Sequence, residues 1–266
     1  MIQEIKLREV CVIGVAMTRF GKYSELWVED FGREACRAAI HDSGVRREEI
    51  QIAYCSHSFQ GRVTGQRILK DLGLTGIPVI NVENACAGGG TSFHETWMAI
   101  AGGFYEVGIA MGVEKMTKGL IPPNPEDLEG LLGRTYPGRF AMMAQRHMYE
   151  YGTTKEQMGL VSVKNHFNGS LNPYAHYQKP LSLEEVLNSR MVSEPLTLLQ
   201  CCPVTDGAAS AVLCSKDVAK KYHDQPVGIT ASIVTSGIYQ SIRKEGLSSE
   251  SELSQRAAKK AYEIAG

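Results

Sequence analysis

The residues best suited to covalent chemistry lie in one short stretch, NVENACAGGGTSF at 81–93. Cys86 stands where a β-branched run gives way to three glycines, the pattern of a strand-to-helix turn. Unpaired N–H groups at the start of a helix carry roughly half a positive charge, which favours a thiolate. Glycines beside the thiol let a substrate or a second backbone approach closely. Each also costs a helix about 1 kcal/mol relative to alanine, so three in a row require a reason. The arrangement has the logic of a nucleophile elbow with Cys in place of Ser. A buried cysteine packed beneath a tight turn is the competing reading, and spacing alone leaves both open. A nucleophilic thiol also needs a base. His94 is two helical turns further on, about 12 Å away, which suits packing or capping rather than proton transfer. His57, His147, His166 and His176 lie in other segments, and none sits in a motif that announces a base.

The rest of the composition narrows the field. The chain has 266 residues, 43% of them hydrophobic, and a net charge of −1, which gives no electrostatic case for nucleic acid or a membrane surface. No apolar run reaches the length of a bilayer span, and no secretory signal is evident at the N-terminus, so a cytoplasmic location is expected. Seven cysteines, odd in number and scattered, argue against a disulfide framework, and no Cys/His cluster has metal-ligand spacing. Most should be reduced and buried.

The elements that must position Cys86 follow from periodicity. EVCVIGV (9–15) reads as a buried strand, followed by a helix over WVEDFGREACRAAIHDSG that stops at Gly44. EIQIAYCSHS and IPVINVE are the next strands, with a helix over 63–72 between them. TSFHETWMAIAGGF is helical and EVGIAMGVEKM is a fourth strand. Strands alternating with helices imply a largely parallel sheet covered on both faces. Residues 117–140 hold four of the ten prolines and form a long connection. Helices follow over FAMMAQRHMYEYG, over TTKEQMGLVSVKNHFNGSL with a Thr cap, and over LSLEEVLNSRMV, opened by a Ser or Leu–Ser turn. DGAASAVLCS (206–215) and VGITASIVTS (227–236) return to strand.

An internal repeat is suggested by two alanine-rich helices. REACRAAIHDSG (33–44) and QRAAKKAYEIAG (255–266) match in kind, with Ala35 on Ala257, Ala39 on Ala261 and Gly44 on Gly266. Each follows a strand and a loop, which suggests a duplicated α/β unit whose second copy is incomplete in this chain.

Several longer segments then carry a resemblance. VENACAGGGTSF, MGVEKM, EYGTTKEQMGLVSVKNHFNGSLNP and KPLSLEEVLNSRMVSEPLTLLQCCPVTDGAASAVL resemble the thiolase superfamily, specifically its sterol-carrier-protein-type, lipid-transfer-like members. The resemblance covers essentially the whole chain. It implies a duplicated α/β fold in α-β-α-β-α layers, with an N-terminal half over 1–116 and a mostly helical loop domain over 117–205 above the coenzyme A site. A final strand and connection over 206–226 and the start of a C-terminal half over 227–266 complete the expected division. It implies an acyl-CoA C-acyltransferase that cleaves a β-ketoacyl-CoA with free CoA, or runs the reverse Claisen condensation. Cys86 would carry the acyl group, and backbone N–H groups at Gly88 and Gly89 would hold the oxyanion. Phe140 and Met143 are acyl-pocket candidates by position, with plain helix packing as the alternative. Coenzyme A is then a substrate, with no covalently bound cofactor and no metal.

The resemblance places the family's other catalytic groups in second-half motifs (His-x-Phe, Gly-His-Pro and Cys-x-Gly); Gly-His-Pro does not occur here, and the other two letter patterns occur only in the first half, at His57–Phe59 and Cys86–Gly88. Truncation is therefore expected, and no thiolysis by a chain of this length without a partner. Two alternatives stay open: a retro-aldolase acting on steroid-type CoA-ester side chains, and a non-catalytic acyl-CoA or lipid-binding subunit. The resemblance also implies a homodimer and a small zinc-ribbon/OB-fold partner protein.

Overall fold

The computed structural model describes residues 7–116, 119, 121, 126, 128–238 and 249–266, without the side chains of 249–251. The proline-rich connection expected from 117 lies outside the described residues up to 127, apart from 119, 121 and 126. The chain forms two compact units, one of residues 1–18, 23–115 and 206–266, the other of residues 19–22 and 116–205.

The first unit is built on a six-stranded sheet. In chain order its elements are β1 (Val10–Met17), α1 (Val28–Ser43), β2 (Ile52–Ser56), α2 (Thr64–Lys70), β3 (Val79–Val82), α3 (Gly88–Ala101) and β4 (Val107–Glu114). After the second unit come β7 (Gly207–Ser215), α8 (Lys216–Ala219), β8 (Val227–Gly228) and α9 (Ser249–Ala265). The strand order is β3-β2-β4-β7-β1-β8.

Alternation along the strands decides which helix covers which face. Cys11 and Ile13 of β1, with Ile109, Met111 and Val113 of β4, point into a core shared with Phe31, Ala35 and Ala39 of α1 and with Ile68 and Leu69 of α2. Val10 of β1, Ala110 of β4 and Leu213 of β7 point the other way, against Ile100 and Ala101 of α3. The sheet is therefore covered on both faces, as the alternating elements require. Gly44 ends α1 in the left-handed conformation at φ +71°, where an L side chain is disfavoured.

Two expectations need correction. The sheet is mixed rather than largely parallel: β2 runs parallel to β3 and β4, but β7 is antiparallel to both β4 and β1, and β8 is antiparallel to β1. An apolar strand buried on both faces has the same composition in either direction, so its orientation follows from its connection and not from its residues. The strand expected over 227–236 contracts to Val227–Gly228, paired with Val12 and Cys11. One more bond, Ile229 N–H to the Val10 carbonyl at 2.9 Å, extends the contact. Residues 230–238 find no ladder partner among the described residues, and a β-branched run becomes strand only where a neighbour satisfies its backbone. The helix α9 forms where expected. Its Ala257 and Ala261 are only partly buried, whereas Ala35 and Ala39 of α1 are fully so.

The second unit is mostly helical: α4 (Leu128–Leu131), α5 (Tyr136–Tyr151), α6 (Lys155–Ser170) and α7 (Leu183–Leu187), with a small hairpin of β5 (Met191–Ser193) and β6 (Leu196–Thr197). The helix expected over LSLEEVLNSRMV shortens to α7, and Met191–Ser193 is a strand instead, but the helix starts read from sequence are in place. Thr154 Oγ1 accepts the Gln157 N–H at 3.2 Å, and Ser182 Oγ accepts that of Glu185 at 3.1 Å. Among the described residues no helix is long and apolar enough to cross a membrane.

Candidate active site

The parallel strands β3, β2 and β4 end side by side, at Val82, Ser56 and Glu114. In open α/β sheets this carboxyl edge is where ligands bind. The chain leaves β3 through Glu83 and Asn84, makes a single 3-10 turn over Ala85–Ala87, and enters α3 at Gly88. Cys86 therefore sits in the turn before the helix, exposed to solvent. The helix begins at the glycines themselves and not at Thr91.

Packing explains the first of those glycines. A Cβ on Gly88 would lie 1.9 Å from Ser56 Oγ, so only glycine brings the first turn of α3 this close to β2. On β4 the same closeness falls to Gly112, whose Cβ would lie 3.3 Å from the Gly89 Cα. Gly89 and Gly90 have nothing within 4 Å of their own Cβ positions and are exposed beside the thiol. The buried Ser92 hydroxyl lies 2.9 Å from the Gly89 carbonyl and 3.0 Å from that of Met111, fastening the helix start to β4.

The turn is strained. Ala85 has φ +43°, a left-handed conformation costing a non-glycine residue about 1–2 kcal/mol. Glu83 Oε1 accepts the Ala85 N–H at 2.6 Å. Asn84 Nδ2 donates to Thr91 Oγ1 at 2.9 Å, and Thr91 Oγ1 donates to the Ala87 carbonyl at 3.1 Å. The Ala87 N–H donates to the Asn84 carbonyl at 2.9 Å and the Gly88 N–H to that of Ala85.

The neighbouring loop after β2 carries the other positive-φ residue that is not glycine among the described residues, Val63 at +50°. Glu114, the acidic end of the GVE stretch in β4, pins that loop. It accepts the N–H groups of Ser58 at 2.7 Å and Phe59 at 3.2 Å, and the side-chain amide of Gln60. The strained Ala85 thus stands directly before Cys86, a placement typical of functional sites. His57 follows β2 directly, and its Nδ1 is shielded from solvent with no hydrogen-bond partner among the described residues.

The remaining histidines singled out in the sequence are engaged with other groups. His94 Nδ1 lies 3.0 Å from Ser232 Oγ and its ring packs on Trp97, so it ties α3 to the segment after β8. In the second unit His147 pairs with Thr153 at 2.9 Å, and His166 and His176 both pack on Tyr177. Phe140 and Met143 also belong to that unit, on α5. Phe140 is half-exposed and Met143 partly buried. Nothing in the sequence marks Glu83, Ser56 or Glu114 by itself, although Glu114 lies inside the MGVEKM segment.

The thiols divide sharply. Burial pushes Cys36 and Cys214 up to about 12 and also raises Cys55 and Cys11. Cys201 is partly buried and raised by desolvation, then by the neighbouring Cys202. Cys86 and Cys202 are the exposed pair. Brief iodoacetamide treatment of the native chain at pH about 8 is therefore expected to label Cys86 and Cys202 alone, because thiolate character and access set the rate. Peptide mass spectrometry reads the result. Early labelling of Cys36 or Cys55 would contradict the described core.

Residues 10–217 match the family model "Thiolase, N-terminal domain". An acetyl-CoA acetyltransferase of Methanothermobacter thermautotrophicus is 43% identical over 243 residues, 87% of this chain and 63% of that protein. The benzoylsuccinyl-CoA thiolase subunit BbsB of Thauera aromatica is 38% identical, over 97% of this chain and 69% of that protein. Sterol carrier protein 2 of Gallus gallus is 36% identical, over 98% and 52% respectively. The chain thus spans roughly half to two thirds of the length of these relatives. Among solved structures, the Ltp2-ChsH2(DUF35) aldolase aligns with a TM-score of 0.73 at 26% identity, covering 84% of this chain and 60% of that one. An acetyl-CoA acetyltransferase of Bacillus anthracis aligns at 0.69 and 16% identity, covering 84% and 69%, a likeness of fold.

Proposed function

This chain belongs to the thiolase family, and from that premise we propose that it serves an acyl-CoA C-acyltransferase in which Cys86 is the acyl carrier. The observation that carries the reading is an exposed cysteine on a strained turn at the carboxyl edge of three parallel strands, directly before a helix.

In the cleaving direction the Cys86 thiolate adds to the keto carbon of a β-ketoacyl-CoA. The resulting oxyanion collapses, the Cα–Cβ bond breaks, and the electron pair leaves as the enolate of an acyl-CoA, which takes up a proton. The acyl group stays on sulfur as a thioester until the thiolate of free CoA attacks it and releases Cys86. Backbone N–H groups beside the thiol stabilise the oxyanion. The Gly88 N–H is already committed to the Ala85 carbonyl, so Gly89 is the better donor of the two glycines. Its open surroundings leave room for a thioester. Phe140 and Met143 remain candidates for the acyl pocket.

Likeness to a protein named as a subunit and to an aldolase named with a DUF35 component supports a partner protein, here proposed as a small zinc-ribbon/OB-fold chain. A homodimer and a cytoplasmic setting belong to the same proposal. The aldolase neighbour also favours one alternative, retro-aldol cleavage of a CoA ester. Two substrates separate the readings. With acetyl-CoA, the thiolase reading expects acetyl transfer to Cys86. With a β-hydroxyacyl-CoA, it expects no cleavage. Release of a free carbonyl compound from the hydroxy substrate, unaffected by Cys86→Ala, would overturn it in favour of the aldolase.

A further inference from the structure

The turn that presents Cys86 holds alanine, not glycine, in left-handed backbone: Ala85 has φ +43°. An L side chain resists that conformation, so a local interaction must hold it. Glu83 accepts the Ala85 N–H at 2.6 Å, and its carboxylate makes the bond charge-assisted, stronger than one between neutral groups. The other bonds of the turn run from Ala87 to Asn84, from Gly88 to the Ala85 carbonyl and from Asn84 to Thr91, and none engages the Ala85 amide. Glu83, Asn84 and Ala85 are all exposed, so this geometry is not imposed by a surrounding core.

We infer that Glu83 is a positioning residue: its carboxylate holds Ala85 in the left-handed conformation and so sets the direction in which the Cys86 thiol meets an acyl group. This rests on the acyl-carrier reading of Cys86 and deepens it. Glu83 acts through Ala85 and is not assigned a contact with the reacting atoms. Its effect should appear where orientation matters, and should vanish when the strain it opposes is removed.

Three variants test this: Glu83→Ala, Glu83→Gln, and Glu83→Ala combined with Ala85→Gly. Two rates are read at Cys86 by peptide mass spectrometry, acetylation by acetyl-CoA and alkylation by iodoacetamide. Glu83→Ala is expected to slow acetylation about tenfold, or about 1.4 kcal/mol, because a misaligned nucleophile loses near-attack geometry. Alkylation by the small, unoriented reagent should stay within about twofold. Glu83→Gln keeps a neutral acceptor and should lose only about threefold. The double variant should recover to within about threefold of the parent, since glycine takes positive φ freely.

An unchanged acetylation rate in Glu83→Ala overturns the proposal, and so does a double variant as slow as Glu83→Ala, which would assign the effect to charge alone. A parent chain whose Cys86 alkylates but takes no acetyl group removes the acyl-carrier reading and the positioning role together. The first two outcomes remove the positioning role alone.

Discussion

Cys86→Ser is expected to lower acyl transfer from acyl-CoA to the chain by at least about a thousandfold while leaving its folding unchanged. A serine hydroxyl in this turn is a far weaker nucleophile than a thiolate, and losing the nucleophile of a covalent mechanism is among the costliest single changes an active site suffers. Stability should hold because Cys86 is exposed and takes no part in the two cores. Surface substitutions of this kind usually stay within about 0.5 kcal/mol. The control is Cys202→Ser, which removes the other exposed thiol and should leave acyl transfer intact. Transfer measured with labelled acetyl-CoA, together with thermal melting of both variants, checks this. Equal losses in the two variants would mean that the acyl group does not reside on Cys86.

Gly14→Ala is expected to cost about 3 kcal/mol, at the upper end of overpacking penalties, because the added methyl meets backbone that has nowhere to go. A Cβ on Gly14 would lie 2.4 Å from the Ala39 carbonyl oxygen and 2.6 Å from both the Ser43 nitrogen and its Cβ. These atoms belong to the last turns of α1, which packs Phe31, Ala35, Cys36 and Ala39 into the main core. Relieving the clash means lifting that helix end off β1. For a chain of this size the melting temperature should fall by about 6–12 °C. Gly90→Ala is the counter-test, since nothing lies within 4 Å of its Cβ position. Alanine there relieves a helix of glycine's entropy cost and should raise stability slightly, by up to about 1 kcal/mol. A Gly14→Ala chain that melts with the parent would contradict the described approach of α1 to β1.

Local rules made much of the fold readable. The apolar runs of β1 and β4, the glycine stop of α1 and the hydroxyl caps of α6 and α7 each depend on neighbours within a few residues, and each is found in place. The direction of β7 was not readable, because choosing between a parallel and an antiparallel neighbour is a decision between distant segments. The run over 227–236 failed for the same reason: β-branched residues invite a partner but do not supply one. At the site, Cys86 stood out through its spacing from the glycines. The strain that orients it left no mark, since Ala85 looks like any alanine until its φ is known. Gly88, Gly89 and Gly90 are identical letters, and only the presence of Ser56 behind the first gives them different roles.

The most direct test of the central claim is the location of the acyl group itself. The chain is mixed with acetyl-CoA, quenched in acid and digested, and the peptides are weighed. The account expects one acetyl group on the peptide that contains Cys86, discharged when free CoA is added before the quench. An acetyl group on the Cys202 peptide, or an unmodified Cys86 that iodoacetamide still alkylates, would contradict it.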